Sequence, residues 1–149
     1  MSMKKIVGLT AVFLILAGVM LSEQAMAQKA TPITKENMAT LKGNWEGKVD
    51  FKPQGTCSLM LRIDNDTPPL KGHVEFQNLP QGAGGLFPGN FGNETTYGGD
   101  FENGIITNTG TLLISGKQGN FGEFSLVGKN LSGWFYIWGA RGTVTLKKK

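Results

Sequence analysis

NWEGKVDFKPQGTCSLMLRI, residues 44 to 63, decides the fold class. In its first half Trp45, Val49 and Phe51 occupy odd positions, and in its second half Cys57, Leu59, Leu61 and Ile63 do the same. A strand turns successive side chains to opposite faces, so this period of two predicts two half-buried strands, with KPQG between them as a hairpin turn. The next run, LKGHVEFQNL from residue 70, continues the pattern: Val74 and Phe76 oppose His73, Glu75 and Gln77.

Outward from this hairpin, short runs follow at intervals of about ten residues: TTYGGDF, GIITN, GTLLISG, GEFSLVG, LSGWFYIW and GTVTL. Turns such as ENG, GKQGN and GKN are read between them, and glycine, 22 of 149 residues, falls mostly at such places. Eight to nine short strands joined by tight turns predict an all-β domain. The expected architecture is an antiparallel up-and-down β-barrel of about eight strands, with a β-sandwich as the alternative. Upstream, ITKENMATL is read as one or two helical turns with Thr34 as N-cap. LKGNW, LKGHV and LSGWF share a Leu-x-Gly-x-apolar opening, too short and unevenly spaced for a true repeat.

The beginning of the chain is of a different kind. A basic MSMKK precedes the apolar run IVGLTAVFLILAGVML and then SEQAMA, where Ala25 and Ala27 form a small-x-small cleavage pattern. Residues 1–27 are therefore predicted to be a secretory signal peptide, and residues 28–149 a single domain, periplasmic or secreted, with no membrane span after cleavage. Removing that leader takes away Lys4, Lys5 and Glu23, and the formal net charge falls from +4 to +3. Lys147, Lys148 and Lys149 match the whole of that excess, so they are expected to form a frayed, solubilising tail on a nearly neutral body. No nucleic-acid-binding face is expected. With Cys57 as the one cysteine, an internal disulfide is impossible, and its register with Leu59 and Leu61 predicts a buried, inert thiol.

GNW, residues 43 to 45, opening the first strand after a short helical turn, resembles the G-x-W start shared by lipocalins and avidins, the calycin type of up-and-down barrel. In that group the tryptophan closes the barrel floor under a basic residue from the last strands. The resemblance implies this structural role for Trp45, with Arg141 as its cover. LKGNW and LKGHV are similar to the first and third strands of avidins. The polar side chains with which avidins hold biotin should follow that tryptophan, whereas EGKVDF has neither Asn nor Ser, so biotin binding is not implied.

Catalytic signals are weak, and an enzyme is the less favoured class. The single histidine, His73, shares its face with Lys71, Glu75 and Gln77 and is read as solvated rather than as a base or metal ligand. DNDTPPLKGHVE fails as a calcium loop because Pro68 and Pro69 stand at its fifth and sixth positions. No catalytic residue, metal site or cofactor is expected. Two stretches remain as contact candidates. PQGAGGLFPGNFGNE, residues 80 to 94, is too rich in glycine and proline for a central strand yet carries Leu86, Phe87 and Phe91; residues 81 to 93 are read as a mobile loop. LSGWFYIW breaks the alternation: Leu131, Phe135 and Ile137 face one way, Trp134, Tyr136 and Trp138 the other. A barrel interior accepts one side of each strand, so a second aromatic face implies a ligand, a partner or a second copy of the chain.

The favoured expectation is thus a non-catalytic exported protein binding a small apolar or amphipathic ligand. An oligomerising interaction module, here a homo-oligomer, is the first alternative, and a carbohydrate-binding or enzymatic β-domain the second.

Overall fold

The computed structural model describes residues 28–52, 55–80, 95–116, 120–137 and 139–149. Within them the chain forms nine strands and one 3-10 turn: β1 (Ala30–Thr31), the turn (Met38–Leu41), β2 (Gly43–Phe51), β3 (Gly55–Ile63), β4 (Leu70–Gln77), β5 (Thr96–Ile106), β6 (Leu112–Ser115), β7 (Phe121–Val127), β8 (Asn130–Ile137) and β9 (Ala140–Lys148). β2 to β9 pair with their sequence neighbours, all antiparallel, and β2 also pairs with β9, which closes the sheet. The protein is an eight-stranded up-and-down β-barrel with one short extra strand, β1, laid against β7. A sandwich is excluded by that closure.

The alternation read from the sequence becomes the inside and outside of the barrel. Trp45, Val49, Phe51, Cys57, Leu59, Leu61, Ile63, Val74 and Phe76 are all buried. Each such side chain removed from water contributes roughly 1.5–3 kcal/mol. Where large rings fill the interior, the neighbouring strand carries none: Phe135 faces Gly122 on β7 and Gly142 on β9. A Cβ at Gly122 would lie 2.7 Å from the Phe135 ring, and one at Gly142 would lie 2.4 Å from Val49. Substitution at either position would displace core atoms.

Three sequence expectations are corrected. TTYGGDF and GIITN are not separate strands, because Glu102, Asn103 and Gly104, read as a turn, run inside β5. A bulge between Leu70 and Gly72 in the β4–β5 ladder takes up the irregularity instead. The short helix is a 3-10 turn over Met38–Leu41, and Thr34 does not cap it with its side chain. Asn37 Oδ1 instead accepts from the Thr34 amide at 2.8 Å. The lysine tail is not frayed. β9 runs to Lys148, and Lys149 donates its amide to Asn44 O at 2.9 Å and pairs through its ammonium with Glu46.

Candidate functional site

The two ends of the barrel are built differently. At the end where β2 begins, the segment 33–41 lies across the opening: the Ile33 amide donates to Gly110 O at 2.9 Å, and Ile33, Met38 and Leu41 are buried. Trp45, 2% exposed, stands over this floor with its indole N–H donating to Leu41 O at 2.8 Å. Lys148 covers it. Its Nζ lies 5.6 Å from the Trp45 ring and donates to Thr40 O at 2.7 Å, tying the last strand to the 3-10 turn. Gly43 is required at the start of this corner, since its φ is +132° and a Cβ there would lie 2.8 Å from Lys148 Cε.

Arg141 is not the cover of Trp45. It lies seven residues before Lys148 on β9, roughly 23 Å away at ~3.3 Å per residue, and Trp45 pairs in register with Lys148. Arg141 pairs with Tyr136, and its guanidinium carbon sits 4.3 Å from the centre of the Trp134 ring on the outer wall. The sequence placed a basic residue near the end of the chain over the tryptophan correctly in kind and chose the wrong one. Either cation could be drawn to an indole, and only strand register distinguishes them.

At the opposite end the barrel holds a cavity of about 240 Å3. Its walls are Val74 and Phe76 from β4, Phe101 from β5, Ile114 from β6 and Phe135 and Ile137 from β8. Phe76 and Phe135 meet edge to face, with ring centres 4.9 Å apart and an interplanar angle of 85°. The cavity lies beside a gap in the wall. β5 and β6 pair only at Ile105–Leu113 and Ile106–Leu112, so from Thr96 to Gly104 β5 is laddered to β4 alone among the described strands. Tyr97 and Asn120 span the gap: Asn120, 5% exposed, donates from Nδ2 to Tyr97 Oη at 2.9 Å.

Gly98, Gly99 and Gly116 also line this space. Gly99 pairs with the inward-facing Val74, so a side chain there would point into the barrel, and a Cβ on it would meet nothing within 4 Å. The one acid of the lining, Asp100, turns its carboxylate outward, where Oδ1 lies 2.7 Å from His73 Nδ1. His73 Nε2 lies 3.8 Å from Glu75 Oε2, so the histidine stands between two carboxylates on the outer wall, half-buried rather than merely solvated. No ionised side chain of the described lining faces the cavity. Two strands away on β3, Cys57 is buried, and burial pushes its thiol up to about 11.

Of the contact residues read from sequence, Trp134 and Tyr136 are half-buried on the outside of β8. They are brought together with Phe121 of β7, whose ring centre lies 5.2 Å from Trp134 and 5.3 Å from Tyr136. Leu131, Phe135 and Ile137 form the buried face of the same strand. The two apolar faces of residues 131–137 are thus core on one side and a ring cluster, capped in part by Arg141, on the other. Leu86, Phe87, Phe91 and Trp138, the whole loop 81–93 and the leader 1–27 lie outside the described residues. The described residues on either side of 81–94 meet at the cavity end, where the Leu79 amide donates to Thr95 O at 3.1 Å.

Sequence reasoning missed Tyr97, Gly99 and Asn120. The available signal was YGG inside a strand, since glycine in a strand marks a missing side chain or a close approach. Among the described residues no cluster of His, Cys, Asp or Glu could hold a metal ion, and no helix is long and apolar enough to cross a membrane. No protein-family model and no curated protein sequence matches the chain.

Proposed function

We propose that this is an exported, non-catalytic binding protein of the calycin type, related in architecture to lipocalins and avidins, which holds a small apolar or amphipathic molecule in the cavity end of its barrel. The observation that carries the reading is the 240 Å3 cavity itself: four rings and three aliphatic side chains in its walls, one part-buried hydrogen-bonding pair, and no inward charge. Ligand sites characteristically combine such walls with a few placed polar groups, and barrel mouths are a common location. The volume lies below the ~300–1,000 Å3 typical of drug-sized ligands, which favours a small one. The calycin assignment is supported by Gly43 and Trp45 at the closed end and by Lys148 over the indole. Export is supported by the leader-like character of residues 1–27, and N-terminal sequencing of secreted material should begin at Gln28.

Native mass spectrometry of protein purified from its own cells, compared with the denatured chain, tests the reading. A small-molecule mass lost on denaturation is expected. A bare native mass, with no small apolar probe shifting the amide resonances of Val74, Phe76 or Ile114, would overturn it.

The ring cluster on the outer wall favours a second reading, self-association. Phe121, Trp134 and Tyr136 make an outward-facing aromatic patch on β7 and β8, and aromatic residues are enriched in interface cores. Sedimentation equilibrium at micromolar concentration separates the cases. An oligomer lost on Tyr136→Lys supports it, and the mass of one chain defeats it.

A further inference from the structure

Three features stand outside what has been described as floor and core: the ring cluster on the outer wall, the His73–Asp100–Glu75 group and the side gap between β5 and β6. The last joins a cavity, a part-buried polar pair and a missing side chain in one place. We infer that the cavity selects a small, uncharged, planar ring bearing one hydrogen-bonding group, a phenol-like molecule, and that Gly99 is the residue that sets its size limit. This inference rests on the proposed binding function and narrows it.

The ring preference comes from the walls. Phe76 and Phe135 stand edge to face, and Phe101 and Tyr97 add two further rings to the lining, which together offer a flat guest the offset and edge contacts that aromatic pairs adopt. A flexible alkyl chain of equal volume would gain fewer such contacts and would lose rotational freedom on entering. The hydrogen-bonding group is indicated by Asn120, a neutral amide 5% exposed, and by the Tyr97 hydroxyl that accepts from it at 2.9 Å. A hydroxyl is both donor and acceptor, so a guest hydroxyl can join this pair without leaving either member unsatisfied. Neutrality follows from the lining, whose single carboxylate, Asp100, is turned outward to His73. A charged guest would enter with no counter-charge to meet it.

Gly99 keeps the space open. It stands opposite Val74 at the exposed gap, a Cβ there meets nothing within 4 Å, and its backbone lies outside the left-handed region, so a larger residue would narrow the cavity mouth without strain. Its neighbour is different: a Cβ on Gly98 would lie 2.4 Å from Val74 O, so the role is specific to position 99.

The test is an amide chemical-shift titration of the mature protein with three probes of similar size: 4-methylphenol, toluene and 1-hexanol. 4-Methylphenol is expected to bind most tightly, moving Gly98, Gly99 and Ile114, with toluene about tenfold weaker. Tyr97→Phe should remove most of that tenfold difference while leaving toluene unchanged. Gly99→Leu should abolish binding of all three with an undiminished melting temperature; should it fail to fold, Gly99→Ala provides the smaller step and should weaken 4-methylphenol measurably. Binding of 1-hexanol as tight as that of 4-methylphenol, or a phenol-to-toluene ratio unchanged in Tyr97→Phe, would overturn the selectivity while leaving cavity binding intact. Undiminished binding by folded Gly99→Leu would overturn the assignment of Gly99. Failure of all three probes would count against the binding function itself.

Discussion

The closed and open ends of this barrel use the same alternating strands and differ in what holds neighbours together. At the Trp45 end, β2 and β3 are laddered along their whole length, from Gly43 opposite Ile63 to Phe51 opposite Gly55, and the chain crosses the opening with Ile33, Met38 and Leu41 turned inward. The two residue pairs that join β5 to β6, Ile105–Leu113 and Ile106–Leu112, also lie toward the floor; toward the other end the strands have parted, and a side-chain hydrogen bond, Asn120 to Tyr97, stands where further ladder bonds would be. The consequence is a filled core below and a cavity above. Closing a sheet needs its ladder to close, yet nothing requires every strand pair to be bonded to the top. Where the ladder stops early, the wall can hold a site.

The comparison breaks first at the floor. Trp45→Ala should remove about 3–5 kcal/mol, since it empties the largest buried side chain and its bond to Leu41 O. Thermal unfolding followed by circular dichroism should show a fall of at least ~10 °C for a domain of this size. A shift of a degree or two would mean the floor is not where stability resides.

Cys57 tests how far the opening extends. It lies at the cavity end but two strands from the gap, and its thiol is pushed up to about 11 by burial. Below about pH 9 both folded and unfolded chains keep the thiol neutral and the contribution is fully present; as pH rises to about 11 the unfolded chain ionises first, and stability falls by up to ~2–3 kcal/mol. At pH 8 the folded thiol should react with iodoacetamide about a hundredfold more slowly than an exposed one, as each pH-scale step of its displacement is tenfold in thiolate. Rapid alkylation of folded protein would mean that water reaches this wall too.

Filling the cavity should have a smaller effect, of opposite sign. Gly99→Leu removes backbone freedom from the unfolded chain and places apolar atoms in open space, so stability should rise by about 0.5–1 kcal/mol in urea unfolding. A loss would mean the space is not available to a side chain.

The two indole–cation pairs give the finest contrast. Lys148→Ala removes both the cover of the buried Trp45 and the bond to Thr40 O, for about 1 kcal/mol, whereas Arg141→Ala uncovers only the half-buried Trp134, for roughly 0.5 kcal/mol. Equal melting shifts would remove the distinction between floor and outer wall.

What could be read in advance was the inside of each strand. Val49, Cys57, Leu61, Val74 and Phe76 are buried as their period of two demanded, because the pleat allows no other division of faces. Even LSGWFYIW, apolar on both sides, obeyed it: Phe135 and Ile137 went in, while Trp134 and Tyr136 met Phe121 outside. Where strands were misread, at Glu102 to Gly104, the composition was that of a turn and the bulge opposite Leu70 was invisible, since it depends on the register of a partner strand.

The sequence by itself therefore determined the all-β character, the inward set of side chains, the burial of Cys57 and the tryptophan at the start of the first barrel strand, all of which are local consequences of alternation and of glycine at a corner. Only the tertiary structure decided which cation covers which indole, that the last lysines are pinned rather than free, and that Tyr97, Gly99 and Asn120 meet around a cavity. Those are matters of register across strands distant in sequence: Lys148 reaches Trp45 because β9 closes on β2, and Asn120 reaches Tyr97 because β5 and β6 part after two pairs. A pattern along one strand carries no record of where its neighbour's ladder ends.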